Sequence, residues 1–166
     1  IFASGMREYQ KLRERRISDA GTLLDGARRA VQPLTAAESR LPENAGTRFF
    51  AAHPGQQLTA RFREGDVLLA SGRSGSSWSG ALRWLNPAAP ESRPAPSKTA
   101  AERVEYVHSG GVMEWYENRP EGLEHGFVVQ RGGHLCRSGE TELRLSLAVT
   151  GLQSRSAGGE VDFVDP

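Results

Sequence analysis

The spacing of apolar residues changes once along the chain, near Thr47. Before that point it is helical. Met6–Arg16 (MREYQKLRERR) consists of strong helix formers, with Glu8 and Leu12, and Tyr9 and Arg13, four apart. Ser18 or Asp19 offers a cap for a second segment, in which Leu23, Leu24, Ala27, Ala30 and Val31 recur at helical spacing until Pro33 stops the run. Thr35 stands three residues before Glu38, the spacing of a capping box, and Pro42 ends that turn. Helices this short are marginal in water, so the segment is expected to pack on something else.

Beyond Thr47 the runs are short and alternate. TRFFAA, QLTARF and DVLLA are separated by HPGQ and REG, which are turn sequences. In QLTARF, Leu58, Ala60 and Phe62 share one face, with Thr59 and Arg61 opposite. SGRSGSS (Ser71–Ser77) is a loop, after which Trp78, Gly80, Leu82 and Trp84 fall on one face; sharing it with Leu82 assigns both tryptophans to the core. NPAAPESRPAPSKTAAE (Asn86–Glu102) has almost nothing to bury and is a linker-like connection across the end of a sheet. RVEYVH and VMEWYEN then flank SGG, a hairpin with glycine where positive φ is needed. Asn118 to Gly122 form a turn, LEHGFVVQ follows, and RGGHLCRSGE is a glycine-rich loop. Leu143, Leu145, Leu147 and Val149 alternate with Arg144, Ser146 and Ala148 as in a half-buried strand, and EVDFVD closes the chain.

The pattern predicts a mainly β chain: an antiparallel β-sandwich or rolled sheet of about eight or nine strands, with a short helical N-terminal arm. The arm takes residues 1–45, and the β-rich domain takes 46–166 with its Pro/Ala-rich loop at 86–102. The 19 glycines and 9 prolines suit short strands joined by turns.

Charge narrows the function classes. Lysine and arginine total 21 against 20 acidic residues, and the basic start at Arg7–Arg16 is interrupted by Glu8 and Glu14, so no nucleic-acid footprint is expected. No run approaches the ~20 apolar residues of a membrane span. The single cysteine, Cys136, allows neither an internal disulfide nor a multi-cysteine zinc site. Ile1 is followed by no signal-peptide pattern, which points to a removed leader or to a fragment.

Candidate chemistry concentrates in one stretch. Glu114, Glu124 and His125, with His108 as a fourth group, have the residue types of a metal or acid/base cluster. On a strand, however, Glu124 and His125 point to opposite faces, so no metal or cofactor is expected, and Glu114 and Glu124 are expected to face solvent or to pair with Arg103 and Arg119. Trp115 and Tyr116 are adjacent, so one faces the core and the other is free, beside Asn118 and Arg119, to contact a protein partner or a sugar. Ser74 and Ser109 lack the surroundings of a nucleophile, Cys136 lies only two residues from His134, and no phosphate loop occurs.

The stretch VEYVHSGGVMEWYENRPEGLEHGFVV, Val104 to Val129, resembles a module found near the start of large secreted bacterial proteins that often carry FG-GAP (integrin-like) or propeller-type repeats downstream. Glu114, Trp115, Tyr116, Asn118, Pro120, Gly122, Leu123, Glu124, Gly126 and Phe127 carry it, FFAAHPGQQLTARFREGDVLL is similar to the segment preceding it there, and the similarity spans about Phe49–Asp165. In that family the chain runs on into further strands, whereas this one stops at Pro166. The D-x-D-x-D-G loops of the downstream repeats are missing, so calcium is not carried over. The resemblance implies a non-catalytic, β-rich module, secreted or in the periplasm or cell envelope of a bacterium. Its expected role is structural or protein interaction, with an arm that docks on a partner, a neighbouring domain or a subunit through Leu23, Leu24 and Val31. Two alternatives stand beside it: an accessory subunit of an envelope complex, and a carbohydrate-binding or hydrolytic domain using Glu114 and Glu124.

Overall fold

Alternation and turn residues together divide the chain after Thr47 into strands, and the strands sort into two sheets. The computed structural model describes residues 24–73, 78–130, 135 and 143–164; the helix expected at Met6–Arg16, and Leu23, Ser74, His134 and Cys136, lie outside the described residues. The first sheet has the order β1-β2-β3-β4-β5-β10: β1 (Gln32–Pro33), β2 (Thr47–His53), β3 (Leu58–Arg63), β4 (Asp66–Ser71), β5 (Ser79–Trp84) and β10 (Leu147–Thr150). The second is a four-stranded sheet of β6 (Ser97–Ala100), β7 (Arg103–His108), β8 (Val112–Arg119) and β9 (Gly122–Val129) in that order. A separate hairpin pairs β11 (Gln153–Ala157) with β12 (Glu160–Val164). Every described strand pair is antiparallel. The chain is mainly β, with one short α-helix, at residues 24–29, among the described residues.

The core lies between the sheets. Ala51, Ala60, Phe62 and Val67 from the first meet Val104, Tyr106 and Tyr116 from the second. Phe62 meets Tyr116 edge-on at 5.6 Å, a contact worth about 0.5–1.5 kcal/mol beyond the area it buries. The buried Tyr106 hydroxyl donates to the Asp66 carbonyl, 3.1 Å away, and so ties the two sheets together.

Several elements differ from the sequence reading. The helix ends at residue 29, and Val31 lies off it, buried in the chain's own core. Pro33 does not end the helix, which stops four residues earlier; it pairs with Phe49 as part of an edge strand, where a missing N–H costs nothing. Residues 31–33 are thereby built into the β body, ahead of the boundary expected at residue 45. The capping box at Thr35 and Glu38 forms as read, with Thr35 N donating to Glu38 Oε2 (2.8 Å) and Glu38 N to Thr35 Oγ1 (3.3 Å), over a single 3-10 turn. The Pro/Ala-rich segment carries the chain from β5 in one sheet to β6 in the other, and it is anchored. Gly65, at φ 78° in the β3–β4 turn, donates its N–H to Pro94 O at 2.9 Å, and a side chain there would collide with Arg93. Strand β10 begins only at Leu147, with Leu143 and Leu147 exposed, so half of the leucine alternation never enters a sheet. Trp84 is buried and Trp78 half-buried before β5.

Candidate functional site

Two glycines after His108 let β7 turn tightly into β8, with Gly110 at φ 85° and Gly111 at φ 76°. That turn sets the register His108↔Val112 and Tyr106↔Glu114, and the next pair of strands gives Glu114↔Phe127 and Tyr116↔His125. His108, Glu114, Tyr116 and His125 therefore share the inward face, and the two histidines are diagonal neighbours of Glu114, within reach of a long side chain. Only 4% of Glu114 is exposed. Its Oε2 accepts from His108 Nε2 at 2.8 Å, and its Oε1 accepts from Tyr116 Oη at 2.8 Å and His125 Nε2 at 3.0 Å. The rings hold one another as well. His125 stacks on Tyr116 at 4.3 Å and 5°, and His108 meets Trp84 edge-on at 4.6 Å.

Burial disfavours the Glu114 carboxylate, but the hydrogen bonds from His108, His125 and Tyr116, with the electrostatic pull of His125, outweigh it and hold the pKa at about 2. The Tyr116 hydroxyl is pushed well above its ordinary value by burial and by the adjacent Glu114 charge. A carboxylate this acidic has no proton to give at neutral pH, and both of its oxygens already accept hydrogen bonds from neighbouring side chains. Among the described residues no group of His, Cys, Asp or Glu is placed to hold a metal ion. The arrangement acts as a polar brace inside the sandwich.

A second brace closes the far end. Asn118, fully buried, donates Nδ2 to Arg29 O (2.8 Å) and to Ala52 O (2.9 Å), joining the helix end, β2 and β8 at one amide. Val31 N donates to Ala101 O at 2.8 Å, which fixes the same segment against the β6–β7 turn. Nearby, the buried His53 takes Gln56 N–H on Nδ1 (3.0 Å) and gives its Nε2–H to Arg119 O (2.9 Å). The HPGQ and NRPEG turns are thereby locked together.

The outward face of the four-stranded sheet is arranged in rows. Arg103, Glu117 and Glu124 form one, Glu105, Trp115 and Gly126 the next, and Val107, Met113 and Val128 the third. The first is an ion-pair ladder: Arg103 bridges Glu105 (2.7 Å) and Glu117 (3.0 Å), and Arg119 bridges Glu117 (3.2 Å) and Glu124 (3.1 Å). Trp115 lies over Gly126, where any Cβ would collide with it, and the Arg103 guanidinium sits 4.5 Å above its ring. The third row is bare, with Val107 70% and Val128 47% exposed.

No family model matches the chain. No curated protein or solved structure matches it either.

Of the residues expected at an interaction surface, the structure keeps Trp115 on the outside, half-buried, with Arg119 in the charged ladder beside it. Tyr116, Asn118 and Val31 are corrections: each is buried in the chain's own core or braces, where it can touch no partner. Leu24 is exposed on the helix. The paired-carboxylate reading of Glu114 and Glu124 also fails. Glu114 faces the core and Glu124 faces out to Arg119, so the two cannot flank one glycosidic bond. Glu124 pairs with Arg119 as expected, whereas Glu114 neither faces solvent nor meets an arginine. The available signal was parity, since Glu114 shares its face with Tyr116, and assigning Tyr116 to the core takes Glu114 inward with it.

Proposed function

We propose that this chain is a non-catalytic structural or protein-interaction module of the bacterial cell envelope or exterior, which contacts a protein partner or neighbouring domain through the β11–β12 hairpin. The observation that carries this reading is the hairpin's own poverty of support. Val161 (53% exposed) and Phe163 (45% exposed) stand on one face of a two-stranded sheet that pairs with neither larger sheet. Their cross-strand neighbours on that face are Ser156 and Ser154. A two-stranded hairpin is at best marginal in water by itself, and an exposed ribbon with apolar residues on one side is the kind of element that partners extend or cover. The resemblance to secreted modules over Phe49–Asp165 supports the location and the lack of catalysis. In the accessory-subunit form of the reading, a neighbouring subunit covers the same hairpin.

A photoreactive phenylalanine analogue at Phe163, in the protein as the producing organism makes it, tests the proposal. The expected result is a cross-link to one defined protein or neighbouring domain, which the same analogue at exposed Arg48 does not give, on material outside the cytoplasm. Equal cross-linking from both positions, or a purely cytoplasmic protein, would refute it.

A further inference from the structure

Of the strands that bound the two larger sheets, all but one carry features that keep other strands away. β1 is two residues long and includes Pro33, and β10 is four residues long. β6 is also four residues long and exposed throughout, with a register shift beside Lys98. Shortness, proline, lysine and bulges are the ordinary guards of a sheet edge. β9 has none of them. It runs for eight residues in unbroken register with β8, holds neither proline nor lysine, and pairs on its far side with no strand among the described residues. Its one carboxylate, Glu124, is already paired with Arg119.

The bonding between β8 and β9 determines which groups that edge presents. Gln130 N donates to Gly111 O at 2.8 Å, one step beyond the Val112↔Val129 pair. Bonding alternates along an antiparallel ladder, so the even-numbered residues of β9 bond to β8. Leu123, His125, Phe127 and Val129 therefore turn their N–H and C=O groups toward the open edge, while their side chains lie on the inward face. An incoming strand has to meet those groups and to match the side chains on both faces.

A second copy of β9 meets both conditions. Set antiparallel about a two-fold axis at Phe127, it brings Phe127 opposite its own counterpart and His125 opposite the second copy's Val129, each such pair exchanging two hydrogen bonds. On the outward face Val128 then lies opposite the second copy's Gly126, which has no side chain of its own and lies beneath the Trp115 ring. The two Val128 side chains become diagonal neighbours across the axis, so the bare row Val107–Met113–Val128 continues into the same row of the second copy. Glu124 falls opposite Gln130 and not opposite its own counterpart, so no like charges meet. We infer that the outer edge of β9 is a self-association site, through which two copies of this chain join their four-stranded sheets into one continuous antiparallel sheet.

The test uses the whole chain under reducing conditions, so that Cys136 cannot link copies. Sedimentation equilibrium should show a monomer–dimer equilibrium. Amide exchange should slow with rising protein concentration at His125, Phe127 and Val129, while Glu124, Gly126 and Val128 stay equally protected throughout. Val128→Lys puts a charge at the join twice and should weaken self-association at least about tenfold. Val107→Lys, on the same row but two strands from the edge, should leave it unchanged. Both valines are exposed, so neither substitution disturbs the core. A monomer at every concentration would overturn the inference. So would protection of His125, Phe127 and Val129 that does not depend on concentration, because the chain's own residues would then pair with the edge. A dimer that responds equally to the two substitutions would overturn it as well. No residue of the β11–β12 hairpin enters this pairing, so the Phe163 cross-link succeeds or fails on its own.

Discussion

Acid should unfold this protein through Glu114, and replacing that one residue should remove the effect. An ordinary glutamate, with a model value of 4.5, is held at about 2 in the folded chain. Because the folded pKa is depressed, the stabilisation is fully present above pH 4.5 and is lost as the pH falls through 4.5 toward 2. At 1.36 kcal/mol per unit the difference corresponds to about 3 kcal/mol, a large share of the ~5–15 kcal/mol that holds a domain folded. Glu114→Gln keeps the volume but presents an NH2 to one of the two imidazole N–H groups that donate to the carboxylate. Breaking one partner of a buried charged network costs about 3–5 kcal/mol, or roughly 6–20 °C in Tm for a chain of this size.

Urea unfolding followed by tryptophan fluorescence, at steps from pH 7 to pH 2, gives both quantities. Wild type should lose about 3 kcal/mol more than Glu114→Gln between pH 4.5 and pH 2. The carboxyls of Glu38 and Glu117 are also held low, by Thr35 hydrogen bonds and by Arg103 respectively, but they are present in both proteins and cancel in the difference. Parallel pH profiles for the two proteins would refute the reasoning, as would equal stability at pH 7.

Three further outcomes follow from the braces and the surfaces. Asn118→Ala removes the donor from two carbonyls and should cost about 2–4 kcal/mol, with amide exchange rising first in residues 24–33, whereas uniform exchange would count against the brace. Gly126→Val puts a side chain where the Trp115 ring lies, so it should cost about 1–3 kcal/mol and shift the tryptophan emission; unchanged emission would show that the ring does not rest there. Phe163→Ser should leave the urea midpoint nearly unchanged, within about 0.5 kcal/mol, because the residue supports little of the body, and a larger loss would place the hairpin in the domain's own core.

The parts of this fold legible in the sequence were those with a local cause. Turn residues bracket β2, β3 and β4, the two glycines after Ser109 fix the β7–β8 register, and Thr35 with Glu38 caps its own turn, each within a few residues of the feature it explains. The braces are different in kind. Asn118 takes its meaning from Arg29 and Ala52, which lie 89 and 66 positions away, and nothing in the NRPEG motif shows that its first residue is a clasp rather than a turn. Leu143 and Leu145 show the converse error, since alternation licenses a strand but pairing needs a neighbour, and β5 offers Trp84 only to Leu147. Glu114 lies between these cases. Its face follows from alternation once Tyr116 is placed inside, but the usual rule that a carboxylate seeks water points the other way. The rule yields here because two histidines and a tyrosine lie within reach on three adjacent strands, and each donates one hydrogen bond to a charge that burial alone would not tolerate. A glutamate among aromatic and histidine residues at matched parity is therefore read better as a core group in search of donors than as half of a surface pair.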